Sequence, residues 1–297
     1  MWYEHWHRYH YVLPLVAGKS VLDVACGEGY GSALMSSRAA LVTGTDVSHA
    51  AIAHGQATYA GCANLRLVEA SCTSLPFDAE SFDVVVSFET IEHIADQATF
   101  LDEIKRILKP DGLLILSSPN KAEYSDKRNY SNEFHVNELY REQLEVLLEP
   151  RFAVRRWLSQ RNLFASLIVP EGEAEDLAET SPLLGESITV SQANPERLGS
   201  PLPALYYIVL AAQQQATLAA CNTRVSIFSD SEEWAYKDYY DAYRNLRDYQ
   251  QREQDLTTHY AALQAECDRL KAAAQTQICT PEMRPPGLFG RLKKLFS

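Results

Sequence analysis

Short apolar runs alternate with amphipathic helical patterns along the first two thirds of the chain. Six runs are predicted to be strands, at residues 21–25, 41–45, 84–88, 113–117, 152–157 and 204–211. Apolar strands separated by helices are typical of a largely parallel sheet with helices on both faces. We therefore predict one doubly wound α/β domain over residues 1–213.

Beyond residue 230 the apolar pattern changes to heptads. Eleven seam positions alternate four and three residues apart: Ala235, Tyr239, Ala242, Leu246, Tyr249, Glu253, Leu256, Tyr260, Leu263, Cys267 and Leu270. Only Glu253 among them is charged. The seam predicts an α-helical coiled coil over 231–276, joined to the domain by a linker at 214–230. The alternative is one amphipathic helix folded back on the globular domain.

Two other segments have distinct compositions. Residues 171–203 are acidic and interrupted by Pro and Gly, which predicts a long excursion that either covers the functional site or is a disordered surface loop. Residues 277–297 comprise a proline-containing linker and a short amphipathic helix, with Arg291, Lys293 and Lys294 opposite an apolar face. This helix is predicted to lie on an anionic membrane surface, with docking to a protein partner as the alternative.

Composition limits the classes of partner and the compartment. The net charge of -12 argues against a surface built for nucleic acid. Six cysteines without C-x-x-C pairs indicate free thiols in a reducing compartment. The sequence shows neither a signal-peptide pattern nor a run long enough to span a membrane. We expect a cytoplasmic protein, with peripheral contact to the inner face of the membrane through its C-terminal helix.

A glycine-rich turn follows the first predicted strand. Gly27, Gly29 and Gly31 stand between that strand and a helix, where glycine lets the backbone approach a ligand closely. Asp46 ends the second strand, 23 residues after Asp23, and its carboxylate can accept both hydroxyls of a ribose. This pair of features fits either a dinucleotide or another adenosine-bearing cofactor.

Three further segments distinguish between these cofactors. They are LVEASCTSLPF at 67–77, SFDVVVSFETIEH at 81–93 and LKPDGLLILSSP at 108–119. Together with the glycine-rich turn they resemble the class I S-adenosylmethionine-dependent methyltransferases of the type 11/12-like group, over about residues 10 to 160. The resemblance implies S-adenosylmethionine as cofactor and a Rossmann-like seven-stranded sheet in the order 3-2-1-4-5-7-6, with the last strand antiparallel.

The same resemblance assigns the cofactor contacts. The residues implied are Asp23, Gly27 and Gly29 for the methionine part, Asp46 with Val47 for the ribose, Ser71 and Cys72 for the adenine, and Phe88 as a wall after the fourth strand. Two positions depart from the family pattern. Ala25 replaces the first glycine of the turn, and Ser71 replaces an aspartate, for which we expect weaker rather than lost binding.

An E-x-x-E-H pattern follows the fourth strand. Glu89, Glu92 and His93 stand at i, i+3 and i+4, and on a helix they would share one face and suit a divalent cation. The pattern is similar to that of quinone-pathway and small-RNA 2′-O-methyltransferases, and this implies Mg²⁺ with His135 completing the site. His93, His135 and Glu92 are the candidate catalytic groups. Alternatively, the pair Glu92 and His93 binds no metal and packs against the cofactor-binding loop.

The acceptor is predicted from two other segments. A sugar pocket is suited by the residues Tyr124, Lys127, Arg128 and Tyr130, although a solvated loop would have the same composition. The aromatic and basic residues at 2–10 are predicted either to cover the cofactor as a lid or to pack in the core. The segment NEFHVNEL at 132–139 resembles that of envelope-polysaccharide sugar O-methyltransferases. It implies a sugar or lipid-linked glycan acceptor. A quinone-like acceptor is one alternative, and a degenerate scaffold that recruits glycosyltransferases is another. The coiled coil would bind a second copy or a glycosyltransferase.

Overall fold

A computed structural model describes residues 2–162, 190–191, 194–198, 203–223, 225–228 and 234–279. The chain divides into two compact units, Met1–Phe228 and Ser229–Ser297. The first unit contains a seven-stranded sheet with its helices. In the described part of the second unit there is one long helix.

The central sheet has the strand order that the resemblance implied. Its strands are β1 (Ser20–Val24), β2 (Leu41–Asp46), β3 (Leu65–Glu69), β4 (Phe82–Ser87), β5 (Leu108–Pro119), β6 (Val154–Gln160) and β9 (Tyr206–Ala212). The order is β3-β2-β1-β4-β5-β9-β6, and β9 runs antiparallel to both of its neighbours. Counted within this sheet, β9 is the seventh strand, so the predicted order 3-2-1-4-5-7-6 is confirmed. Two short strands, β7 (Val190–Ser191) and β8 (Asn194–Leu198), pair separately.

Helices cover both faces of the sheet. They are α1 (Trp2–Val16), α2 (Tyr30–Ser36), α3 (His49–Thr58), α4 (Gln97–Ile107), α5 (Arg141–Leu148) and α6 (Gln215–Ala220). Alternate residues of β5 point to opposite faces: Leu114 joins a core with Phe100 of α4, and Ile115 joins a core with Val12 of α1. Burial of both faces explains why the central strands are apolar throughout.

The sequence patterns missed or misplaced several elements. β3 is an edge strand in which only Leu67 is buried, so it lacks the apolar run that marks the central strands. The predicted helix carrying Glu89, Glu92 and His93 is wrong. Glu89 has a left-handed backbone with φ of 51°, which ends regular structure, and only a 3-10 turn at Ile91–His93 follows. The short spacing in sequence therefore does not put the three side chains on one helical face.

The predicted linker at 214–230 is also corrected. Residues 215–220 form α6, and the first unit continues to Phe228. Contacts with α1 hold this segment, because His7 Nε2 lies 3.0 Å from Ser226 Oγ and the Phe228 ring packs edge-on to Tyr3 at 5.0 Å. The domain therefore extends about one helix further than its apolar strands indicated.

The second unit contains α7 (Trp234–Cys279), which confirms a helix across the predicted heptads. Its pairing into a coiled coil stays a prediction. The excursion at 171–203 is described only at its two short strands and at Pro203, and the predicted tail helix at 287–297 lies outside the described residues. Across the part of the chain that is described, no helix is both long and apolar enough to cross a bilayer.

Candidate active site

The glycine-rich turn lies at the carboxyl end of β1 and has the backbone geometry that a ligand-binding turn requires. Gly27 and Gly29 have φ of 57° and 82°, in the left-handed region where glycine avoids a steric penalty. Gly29 is the N-cap residue of α2, which begins at Tyr30. Ala25 also has a left-handed φ, 59°, which explains why a glycine at this position would be less strained.

Asp46 links this turn to the end of β2. Its Oδ2 accepts a hydrogen bond of 2.9 Å from the Gly27 amide, and its Oδ1 accepts one of 2.8 Å from the Ser48 amide. A carboxylate has about four acceptor positions, so the half-buried Asp46 can still accept from a diol. Val47, beside it, is 68% exposed. The structure thus brings the predicted turn and the predicted ribose carboxylate together.

Asp23, in β1, is enclosed by side chains of α1 and α2. Ser32 Oγ donates a 2.6 Å hydrogen bond to Oδ2, and Tyr9 Oη lies 3.3 Å from both carboxylate oxygens. Burial raises the pKa of Asp23 to about 7, although both hydroxyl groups act in the opposite direction. The Tyr9 ring also lies against Gly31, where an added Cβ would be 2.0 Å from Tyr9 Cζ. Asp23 therefore reaches a ligand only if one of these hydroxyls moves.

The predicted adenine and wall residues lie around the same end of the sheet. Ser71 is exposed, and its hydroxyl is 2.9 Å from Thr73 Oγ1. Cys72 and Phe88 are buried, and the Phe88 ring packs edge-on to Tyr9 at 5.1 Å. Of this group, only Ser71 offers an exposed hydroxyl for a polar contact.

Glu89 is held away from the predicted cation group by other partners. Its Oε1 accepts a 2.7 Å hydrogen bond from Ser117 Oγ and lies 3.3 Å from Nη1 of Arg8. Arg8 is 1% exposed and donates through Nε to Gln160 at 2.6 Å. The ion pair with α1 accounts for the position of Glu89, and the prediction that it binds a metal is not supported by this placement.

The other three predicted ligands do converge. One potential ligand atom from each of Glu92, His93 and His135 lies within 4.8 Å of the others. Within the described residues, neither carboxylate oxygen of Glu92 has a hydrogen-bond partner, although the residue is 1% exposed. Burial raises the pKa of Glu92 well above its usual range, and the charge of Glu89 raises it further. A buried carboxylate without partners is costly unless it is protonated or neutralised by a cation.

Both histidines have a defined hydrogen-bonding partner at Nδ1. His93 Nδ1 lies 2.7 Å from the Phe134 carbonyl oxygen, which can only accept, so this nitrogen carries the proton. His135 Nδ1 lies 2.5 Å from Glu138 Oε1. The two rings meet edge-on at 4.9 Å. Histidines that bind metals usually donate their second nitrogen to such a carbonyl or carboxylate.

A polar cavity of about 300 Å³ adjoins His135. Its lining is rich in hydroxyl, amide and charged groups, and consists of Lys121, Ser125, Asp126, Tyr130, Ser131, Asn132, His135, Val136, Asn137 and Glu138. Tyr124 lies just behind it, stacked on the His135 ring at 5.7 Å. Of the four predicted pocket residues, Tyr130 alone lines the cavity. Lys127 forms an ion pair with Glu123 at 3.0 Å, and Arg128 is exposed.

Sequence reasoning missed the contacts of three side chains in this region. Arg8 and Tyr9 belong to the aromatic-basic segment of α1, but nothing in that pattern showed that they would contact Glu89 and Asp23. Glu138 had a local signal, since a carboxylate three residues after His135 is within reach of its ring.

Comparison with known proteins gives matches in the same part of the chain. Residues 22–116 match a family model described as a methyltransferase domain. A probable S-adenosylmethionine-dependent methyltransferase of Mycolicibacterium smegmatis is 38% identical over 152 residues, covering 49% of this chain and 58% of that protein. A ubiquinone biosynthesis O-methyltransferase of Haemophilus ducreyi is 37% identical over 116 residues, covering 35% and 47%. The chain thus spans about half the length of these curated relatives.

Solved structures support the fold. The YcgJ protein of Bacillus subtilis has a TM-score of 0.50 at 19% identity, covering 71% of this chain and all of that one. A Pyrococcus horikoshii protein has a TM-score of 0.50 at 18% identity, covering 71% and 92%. Such identities bear on the fold alone. The sheet order shows a Rossmann-like doubly wound fold, and within it residues 22–116 are similar to a methyltransferase domain.

Proposed function

We propose that this protein is an S-adenosylmethionine-dependent O-methyltransferase that acts on a sugar hydroxyl, in free or lipid-linked form. The observation that carries the choice of acceptor is the polar cavity beside His135. Its hydroxyl, amide and charged groups match the many hydroxyls of a sugar, and Tyr130 offers a ring for the sugar to stack on. A role in bacterial envelope polysaccharide synthesis is part of this proposal.

The cofactor cleft supports the reaction type. Methyl transfer from a sulfonium is an in-line displacement, so the main task of the protein is to hold donor and acceptor in line and exclude water. Asp46 and the turn of Gly27 and Gly29 offer a carboxylate for a diol and a close backbone approach. Where no cation occupies Nε2, His93 or His135 is proposed to accept the proton of the attacking hydroxyl through that nitrogen.

A divalent cation at Glu92, His93 and His135 is also part of the proposal. The unpartnered oxygens of Glu92 fit a cation, and such an ion would lower the pKa of a bound hydroxyl and orient it. Two imidazoles and one carboxylate are a donor set that suits Mn²⁺ or Zn²⁺ better than Mg²⁺, which prefers oxygen ligands. In the present conformation the Asn132 amide lies 2.9 Å from His135 Nε2, and a cation bound at that nitrogen would replace it.

A quinone-like acceptor is the second candidate. It is favoured by the relative named as a ubiquinone biosynthesis O-methyltransferase, which matches 35% of this chain. Transfer of labelled methyl groups to sugar and to phenol acceptors, measured side by side, distinguishes the two. Methylation of phenols alone would contradict the sugar proposal.

The cofactor proposal is tested by Asp46→Ala, with exposed Asp78→Ala as the matched control. Loss of two charge-assisted hydrogen bonds should weaken S-adenosylmethionine binding by about 100-fold, on the order of 3 kcal/mol. Calorimetry measures this, and circular dichroism checks folding. If the unmodified protein does not bind the cofactor at millimolar concentration, the enzyme proposal is wrong and a scaffold that recruits glycosyltransferases replaces it.

The proposed location is the cytoplasmic face of the membrane, where a lipid-linked acceptor would accumulate. It rests on the sequence of the tail, Gly287 to Ser297, which has a basic face opposite an apolar one. Deleting these residues should abolish sedimentation with anionic liposomes and leave cofactor binding unchanged. Sedimentation that persists after the deletion would contradict the membrane role.

A further inference from the structure

Glu138 connects His135 to the segment that lines the polar cavity. One carboxylate oxygen, Oε1, lies 2.5 Å from His135 Nδ1, and the other, Oε2, accepts a 2.5 Å hydrogen bond from Ser125 Oγ. The side chains of Glu138 and His135 are each 8% exposed. Both oxygens of this enclosed carboxylate are therefore committed, and the side chain has one defined orientation.

This arrangement determines which nitrogen of His135 carries the proton. A carboxylate can only accept when it is ionised, so it selects the tautomer with hydrogen on Nδ1. The second nitrogen, Nε2, is then an acceptor, and in this conformation it accepts from the Asn132 amide at 2.9 Å. The Phe134 carbonyl selects the same tautomer in His93. Both rings thus present Nε2 as the nitrogen with a lone pair.

We propose that Glu138 is a positioning residue that fixes the tautomer and ring orientation of His135, so that Nε2 is available to a cation or to an acceptor proton. The inference rests on the proposed function, because it gives His135 its task there. Ser125 supports the same role, since its hydroxyl holds the second oxygen and prevents the carboxylate from turning. Glu138 itself need not touch the cofactor or the acceptor.

The competing explanation is an ion pair that only stabilises the loop. Such a pair would affect unfolding, but it would leave no specific mark on the ring of His135 in a folded variant. We therefore compare Glu138→Ala, which removes the carboxylate, with Glu138→Gln, whose amide oxygen can still accept from Nδ1. Glu133→Gln is the matched control, because Glu133 is an exposed carboxylate in the same segment.

Two measurements on the full-length chain test the inference without an acceptor substrate. Two-dimensional ¹⁵N spectroscopy of the imidazole rings reports the tautomer of His135, and calorimetry reports the affinity for Mn²⁺. We expect an Nδ1–H tautomer in the unmodified protein and in Glu138→Gln, and a shift toward Nε2–H in Glu138→Ala. Mn²⁺ affinity should fall by about 10 to 100-fold in Glu138→Ala and less in Glu138→Gln.

Binding of S-adenosylmethionine separates this inference from the proposed function. It should be equal in all variants, since Glu138 is not among the cofactor residues, and its absence in every variant would contradict the enzyme proposal without changing the expected tautomers. The inference itself is overturned by an Nε2–H tautomer in the unmodified protein, or by a folded Glu138→Ala variant that keeps the Nδ1–H tautomer. Failure of the unmodified protein to bind Mn²⁺ would contradict the cation role of Nε2 and leave the proton-accepting role, which the tautomer measurement still tests.

Discussion

The two units of this chain use their apolar residues in opposite ways. In the unit Met1–Phe228, Leu114 in β5 is fully buried between the sheet and its helices. In α7, Leu263 is 57% exposed, and every side chain between 237 and 273 whose exposure is described is exposed. The first unit has its own core, whereas α7 has apolar side chains arranged along a seam in solvent.

This difference shows what a hydrophobic pattern can and cannot establish. A period that matches a helix predicts the helix wherever it occurs, and α7 forms as predicted. The period does not identify what the apolar face packs against. For β5 the partners are the helices of the same unit, whereas the seam of α7 is exposed and requires a second surface to cover it. The same substitution should therefore have different consequences in the two regions.

The largest expected effect is the loss of stability from Leu114→Ala. Removing a fully buried leucine side chain leaves a cavity and should lower the free energy of unfolding by about 2 to 5 kcal/mol. Leu263→Ala should change the unfolding of the first unit by less than about 0.5 kcal/mol. Urea unfolding followed by tryptophan fluorescence measures both. Equal losses in the two variants would show that the helix and the domain unfold as one cooperative core.

The second prediction concerns self-association of α7. We expect two copies of the chain to pair through the heptad seam, because a second copy offers a matching apolar stripe. Leu263→Ala should weaken the dimer by about 30-fold, roughly 2 kcal/mol for the apolar surface lost from two subunits. Analytical ultracentrifugation measures the dissociation constant.

Ala265→Ser provides the control for pairing, since Ala265 is exposed on the same helix but is not a seam position. A chain that ends at Phe228 should be monomeric and should still bind S-adenosylmethionine. If the full chain is monomeric at high micromolar concentration, self-pairing is contradicted, and a different protein becomes the remaining candidate partner for the seam.

Local patterns predicted the central strands and the glycine-rich turn, and the resemblance to methyltransferases implied the strand order. Central strands such as β4 and β5 were predicted because burial on both faces requires apolar residues throughout. The edge strand β3 was missed because one face of it is exposed. Gly27, Gly29 and Asp46 were identified because a turn at a strand end restricts residue type, and the structure brings them together.

The region around Glu89 and His135 was harder to predict because long-range contacts determine it. Glu89 was grouped with Glu92 and His93 from sequence spacing, but its left-handed backbone and the buried Arg8 of α1 hold it elsewhere. Arg8 is more than 80 residues away along the chain, and no local period connects the two. Glu138 was closer in sequence, yet the orientation of its carboxylate depends on the hydrogen bond from Ser125.

The third and smallest prediction compares the pH dependence of two carboxylates, one in each unit. Burial raises the pKa of Asp23 from 3.8 to about 7. The folded state then holds the proton more tightly than the unfolded chain, so the contribution of Asp23 to stability is full below about pH 4 and is lost as the pH rises through 7. Asp268 on α7 has 67% of its side chain exposed and is 3.8 Å from Lys271, where solvent screens the pair.

Asp23→Asn should therefore gain stability relative to the unmodified protein between pH 6 and pH 7, by about 1 kcal/mol, because the folded unmodified protein loses much of its tightly held proton over this interval. Any constant cost of placing an amide beside Ser32 and Tyr9 cancels in this difference between two pH values. Asp268→Asn, at an exposed carboxylate, is the matched control. Parallel stability curves for Asp23→Asn and the unmodified protein would mean that Asp23 is ionised throughout this range. The enclosure by Tyr9 and Ser32 would then be open in solution, and the first unit would resemble α7 in exposing its carboxylate to water.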